Sequence, residues 1–126
     1  MKEPLNRESF ITAVTKLAES VYDFHERWDL LNTTKSYYLA IQEREELLME
    51  EIRELSFEYN KNDTDKSEIL LCQEAADVLY VALGNMVGLN KEGLNAMNQV
   101  SDKNNNKTIK THFFDKNIKK VKKLNI

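Results

Sequence analysis

Phe10, Val14, Leu17, Val21, Phe24 and Trp28 recur at alternating steps of four and three. One face of a helix has that spacing, which predicts an amphipathic helix over residues 9–30. The polar run Asn32-Thr33-Thr34 interrupts it. Tyr37, Ile41, Leu48, Ile52, Leu55 and Tyr59 then mark the core stripe of a second helix, over residues 36–59. Residues 60–66 (NKNDTDK) are polar and rich in turn formers, the clearest loop in the chain. Asp65 followed by Glu68 has the form of a capping box for a third helix running to Val87. Gly88 is placed there for a left-handed C-cap. A short fourth helix is expected after Asn90, with Leu89 and Leu94 at the two positions of a hydrophobic staple. Beyond Val100 the pattern decays. Ile118, Val121 and Leu124 suggest one or two further weak, basic helical turns.

Helices with short connections describe an all-α, antiparallel four-helix bundle. Composition agrees, since 126 residues hold only three Gly and one Pro, too few turn formers for a sheet protein of this size. So short a bundle leaves much of the third helix apolar all round, and dimerisation is the simplest way to cover it. The division expected is a helical domain over residues 1–107 and a basic tail over 108–126.

The second helix carries Glu50-Glu51-Ile52-Arg53-Glu54. At about 100° per residue, Glu54 falls roughly 40° and Glu51 roughly 100° from Glu50, so these carboxylates share one sector beside the core stripe. Like charges at that spacing weaken a helix, unless the face is simply well hydrated. The third helix sharpens the question. Between Ile69 and Asn90 its only charged residues are Glu74 and Asp77, set among Leu70, Leu71, Val78 and Val81. A carboxylate buried there without compensation costs several kcal/mol. Two outcomes stay open, pairing with Arg44 or Arg53 across the bundle, or binding a metal. Glu50, Glu51, Glu54, Glu74 and Asp77 offer oxygen donors alone, which suit hard cations, Mg²⁺ first and Mn²⁺ second. Neither His25 nor His112 stands in a Glu-x-x-His relation, so iron is disfavoured.

The formal charge of −3 is unevenly spread. From Lys103 onward eight lysines face one acid, Asp115, a balance of +7 that leaves −10 for the rest. An acidic body with a basic tail fits a metal-bound, anionic ligand: carboxylates hold cations, and lysines contact phosphate oxygens. A tail that only aids solubility has the same composition. The lone Cys72 excludes an internal disulfide and suits a reducing cytoplasm. Its apolar neighbours predict a small buried hydrophobe. No secretory signal opens the chain, and no apolar run is expected to span a membrane.

Two metal motifs carry a resemblance. Glu51-Ile-Arg-Glu54 and Glu74-Ala-Ala-Asp77, separated by a loop, resemble the Glu-x-x-Glu and Glu-x-x-Asp pair of the MazG-like all-α pyrophosphohydrolases. The surrounding LLMEEIREL and EAADVLYVALGNMVGL are similar to the two metal helices of that family. Val21-Tyr-Asp-Phe-His25 and Asn104-Asn-Asn-Lys107 resemble its branch containing phosphoribosyl-ATP pyrophosphohydrolase and dimeric dUTPase-like members. The likeness runs from residue 14 to residue 107. It implies hydrolysis between the α and β phosphates, giving a nucleoside monophosphate and pyrophosphate. It also implies Mg²⁺ on Glu50, Glu51, Glu54, Glu74 and Asp77, with Glu50 or Glu51 orienting or deprotonating the attacking water. Asn104 and Lys107, with Lys103, become phosphate contacts, and the assembly a homodimer or dimer of dimers. His25 and Trp28 are candidates for contacting the base, although Trp28 continues the packing stripe with Phe24 and a histidine at position 25 equally suits a hydrogen-bonded partner.

Three readings follow. The first is a house-cleaning nucleoside triphosphate pyrophosphohydrolase acting on dUTP or another pyrimidine nucleotide. The second is hydrolysis of phosphoribosyl-ATP, against which the Phe24-His25 opening and the Asn104/Lys107 motif count. The third is a helical protein without catalysis that binds nucleic acid through the lysine tail.

Overall fold

The computed structural model describes residues 2–125. They form two compact units, Met1–Gly93 and Leu94–Ile126. Four α-helices carry most of the chain: α1 (Arg7–Arg27), α2 (Tyr37–Tyr59), α3 (Glu68–Val87) and α4 (Asn90–Asn105). The fold is the all-α one expected for a MazG-like chain, with little sheet. The boundary between the units falls inside α4.

Local chemistry sets the helix ends. Asn6 caps α1 by accepting a hydrogen bond from Ser9 N. The helix stops before residue 30 because Asp29 takes a left-handed conformation, φ 56°. Leu30 N then donates to His25 O and Asp29 N to Glu26 O, the paired bonds of a Schellman stop. Ser36 caps α2 through Leu39 N. At α3 the cap is Ser67, which accepts from Leu70 N, and Asp65 is not the capping residue. Asp65 is instead taken up in a short 3₁₀ turn, Asp63–Asp65, and the extended Ser67 starts the helix. Gly88 is right-handed, φ −67°, so it is no left-handed cap either. The left-handed turn falls two residues later at Asn90, φ 51°. Leu94 remains more than half exposed.

Within the first unit α3 lies between α1 and α2. Arg44 near the start of α2 bonds Asn85 near the end of α3, which makes that pair antiparallel. Tyr80 OH donates to Ser20 O, and Gly84 abuts His25, so α1 runs parallel to α3. The tightest packing is at this crossing. Val21 and Val81 are the buried apolar side chains among the described residues, with His25 and Gly84 buried beside them. Gly84 permits the approach: a Cβ there would lie 2.7 Å from Arg44 Nη2 and 2.9 Å from His25 Cε1.

Cys72 is exposed rather than buried. It lies on a side of α3 that neither α1 nor α2 covers. By length and composition α3 is also apolar enough to cross a membrane, which corrects the expectation of no such run. The same helix carries Glu74 and Asp77 and packs on two neighbours, α1 and α2.

The second unit holds the rest of α4 and a β-hairpin where helical turns were expected. Strand β1 (His112–Asp115) pairs antiparallel with β2 (Lys120–Lys123), with Phe114 opposite Val121. The turn explains the difference. Asp115 Oδ1 accepts from Asn117 N at 2.9 Å, and Lys119 takes φ 54°, which reverses the chain before a helix can form.

Candidate metal centre

Helices α2 and α3 bring three of the expected acids together. Glu51 and Glu54 of α2 and Glu74 of α3 each offer a carboxylate oxygen, all within 4.8 Å of one another. Antiparallel packing achieves this by setting the last turns of α2 beside the first turns of α3. Glu51 and Glu74 are half-buried, and each has one oxygen, Oε2, that is buried without a hydrogen-bond partner. Such atoms normally find a donor or a cation.

Neither arginine neutralises the cluster. Arg44 donates to Asn85 Oδ1 and Val81 O, and Arg53 pairs with Glu46. The electrostatics follow from that. Burial pushes the Glu51 carboxyl above its usual range, and the charges of Glu54, Asp77 and Glu50 push it further. Glu74 is raised in the same way, by burial first and then by Glu54, Asp77 and Glu58. The site disfavours its own negative charge, and a bound cation would reverse that preference.

Asp77 stands differently from the expectation of an acid buried on α3. Asp77 is exposed, because α3 has no neighbour over Ala75, Ala76 and Asp77, yet it is near enough to act on Glu51 and Glu74. Glu50 is also exposed, and it lines a cavity of about 460 Å³ with Arg53, Glu54, Phe57, Glu58 and Glu74. Glu58 is a residue the sequence reading missed. It is only 9% exposed and is paired with Lys61 at 2.6 Å. Its spacing of four from Glu54 on the same helix face was the available signal.

The remaining candidates are scattered. His25 is buried, and Trp28, at the end of α1, is 62% exposed with its ring tilted against Phe24. Lys103, Asn104 and Lys107 belong to the second unit, where all three are exposed and Lys107 Nζ donates to Asn104 Oδ1 at 3.2 Å.

Donor chemistry and geometry both fit a hard cation. The three converging side chains offer carboxylate oxygens alone, contributed by two helices, and two of those oxygens are buried and unpartnered. It can hold a metal ion against a phosphate-bearing ligand entering from the cavity.

No curated protein and no solved structure matches the chain. The family model for phosphoribosyl-ATP pyrophosphohydrolase does match, over residues 21–104. That stretch begins in α1, ends in α4 and contains all the acids of the centre. The chain therefore belongs to the phosphoribosyl-ATP pyrophosphohydrolase family, within the MazG-like nucleotide pyrophosphohydrolases.

Proposed function

We propose that this protein hydrolyses a nucleoside triphosphate between the α and β phosphates, releasing a nucleoside monophosphate and pyrophosphate. One observation carries the reading: Glu51, Glu54 and Glu74 converge within 4.8 Å, with two orphaned oxygens, beside a cavity large enough for a polyphosphate. Mg²⁺, or Mn²⁺ in its place, is the cation these acids would hold, with Asp77 and Glu50 completing the set. When bound it supplies Lewis acidity to phosphate oxygens and to water.

The chain's own groups do the rest. Glu51 and Glu74 fix the centre from opposite helices, and Glu54 bridges them. Glu50, open to the cavity, is placed to orient a water, and it or Glu51 takes the proton at a carboxylate oxygen. Water adds to phosphorus as the bridging P–O bond breaks, and pyrophosphate leaves with the electron pair.

A second reading, phosphoribosyl-ATP as substrate, is favoured by the description of the matching family. It uses the same centre and the same bond cleavage. Purified protein with Mg²⁺ is to be incubated with each NTP, each dNTP and phosphoribosyl-ATP, and the products identified. Monophosphate with pyrophosphate from a triphosphate supports the first reading. Turnover of phosphoribosyl-ATP alone selects the second, and turnover of none removes both.

A homodimer belongs to the proposal. One copy buries few apolar side chains, while Phe10, Ile11, Ile41, Ile52, Ile69 and Leu79 each stay more than a third exposed. Surfaces of that kind are the ones partner subunits cover. We place the enzyme in the cytoplasm, where its unpaired thiol and nucleotide substrates are at home.

A further inference from the structure

The cavity beside the carboxylate cluster has an uneven wall. Glu50, Glu54, Glu58 and Glu74 line it, and among the described residues around it the one cation is Arg53. Lys61 reaches two of the lining residues, Glu58 and Phe57, but is already engaged. Its Nζ lies 2.6 Å from Glu58 Oε2 and 3.0 Å from Oε1, and it sits 5.3 Å from the centre of the Phe57 ring. Both members of the ion pair are largely shielded, with side chains 24% and 9% exposed. Separating them would leave a buried carboxylate without its cation, so Lys61 stays.

Arg53 is held much more loosely. Its partner is Glu46, two turns earlier on α2 and not part of the wall. The two side chains are 58% and 80% exposed, and an ion pair so open to water is worth little and is screened by salt. The bond engages Nη2, and a guanidinium has further N–H groups to give. Position keeps the side chain within reach of the centre. Arg53 directly precedes Glu54, and Glu50, three residues before it, is its neighbour on the helix surface.

A ligand entering this cavity meets opposite demands. Acids hold cations but repel phosphate, and a polyphosphate has more oxygens than bound cations cover. Those left over need a donor on the same wall that keeps its charge. Arginine meets the requirement, since its planar fork matches paired phosphate oxygens and it does not lose its proton. We propose that Arg53 leaves Glu46 when substrate enters and binds the polyphosphate, which makes it a substrate-binding residue and Glu46 its resting partner. The assignment rests on the pyrophosphohydrolase reading above and adds a phosphate contact on the metal helix itself.

The test uses the full chain and two probes, Mn²⁺ alone and inorganic pyrophosphate in the presence of Mn²⁺, with binding read by titration calorimetry at about 0.15 M salt. Pyrophosphate has no base, so base recognition does not enter. Arg53→Gln should weaken pyrophosphate binding about tenfold or more, the worth of hydrogen bonds to a charged group, while Mn²⁺ alone binds at least as tightly as before. Arg53→Lys, which keeps the charge and loses the fork, should fall between. Glu46→Gln frees the arginine and should bind pyrophosphate at least as tightly as the wild type. Lys35→Gln removes a similarly exposed cation near the other end of α2 and should change nothing. The proposal is overturned if the Mn²⁺-bound wild type takes up no pyrophosphate, or if Arg53→Gln keeps full affinity. Either result leaves the metal centre standing. Equal weakening by Glu46→Gln would overturn it by making the pair structural, and equal weakening by Lys35→Gln by reducing the effect to net charge. Failure of Mn²⁺ to bind the wild type would instead remove the catalytic reading, and this assignment with it.

Discussion

Glu51 on α2 and Glu74 on α3 lie across the helix pair with ligand oxygens within 4.8 Å, and each keeps Oε2 buried and unpartnered. Two carboxylates so placed repel one another and lack a protein donor. Helix packing holds them together all the same, and Glu54 completes the cluster from one turn further along α2. Part of the cost of this arrangement is what a cation would remove.

Removing charge from the centre should therefore separate chemistry from folding. Glu54→Gln and Asp77→Asn are each expected to lower hydrolysis by more than about 100-fold, as loss of a metal-binding group does. Helical circular dichroism should be unchanged, since neither side chain is buried. Activity that survives both substitutions would remove these acids from the reaction.

The raised carboxyls of Glu51 and Glu74 also fix a pH dependence. The folded chain holds these protons more tightly than the unfolded chain does. Without metal, stability is thus highest below the usual carboxylate range, and it falls as pH climbs through the raised values. Mg²⁺ binds the deprotonated form and should reverse the slope. Thermal midpoints from roughly pH 4 to pH 8, with and without Mg²⁺, check both signs. Glu74→Gln should flatten the metal-free slope, and an unchanged slope would contradict the assignment.

Self-association is the next expectation. Sedimentation at micromolar concentration should give the mass of two chains or more. Leu79→Asp and Ile41→Asp, at exposed apolar positions on α3 and α2, should shift it to one chain. A single-chain mass for the wild type would contradict the dimer.

Much of this was legible in the sequence and some was not, for identifiable reasons. Residue spacing located α2 nearly to the residue, and Ser36 announces its start. The convergence of Glu51, Glu54 and Glu74 follows from two motifs on antiparallel helices. Asp77 was misjudged because its apolar neighbours in sequence do not cover it in one copy of the chain. Glu58 was missed because the motif ended at Glu54, although the same helix face continues. The hairpin was hidden by Ile118, Val121 and Leu124, whose steps of three imitate a helix. Asp115 and Asn117, the turn formers that decide the matter, were outweighed by that spacing.

The hairpin yields a further prediction. Lys119 holds φ 54°, which costs a side-chain-bearing residue about 1 kcal/mol. Lys119→Gly should recover about 0.5–1 kcal/mol locally, even after the entropy glycine loses. Amide exchange at Phe114 and Val121 is then expected to slow roughly two- to fivefold. Faster exchange would show that the lysine side chain contributes something glycine lacks.

Asn90 joins two roles in one residue. Its backbone is left-handed, φ 51°, and its Nδ2 donates to Thr33 O at 3.1 Å. Glycine could adopt that backbone but would release the loop between α1 and α2, and aspartate would present an acceptor to a carbonyl. The segment tethered this way supplies Thr33 and Lys35 to the wall beside His25. One side chain thus couples the corner that opens α4 to a loop 57 positions earlier in the chain, and a change at position 90 would be felt first at Thr33 and Lys35.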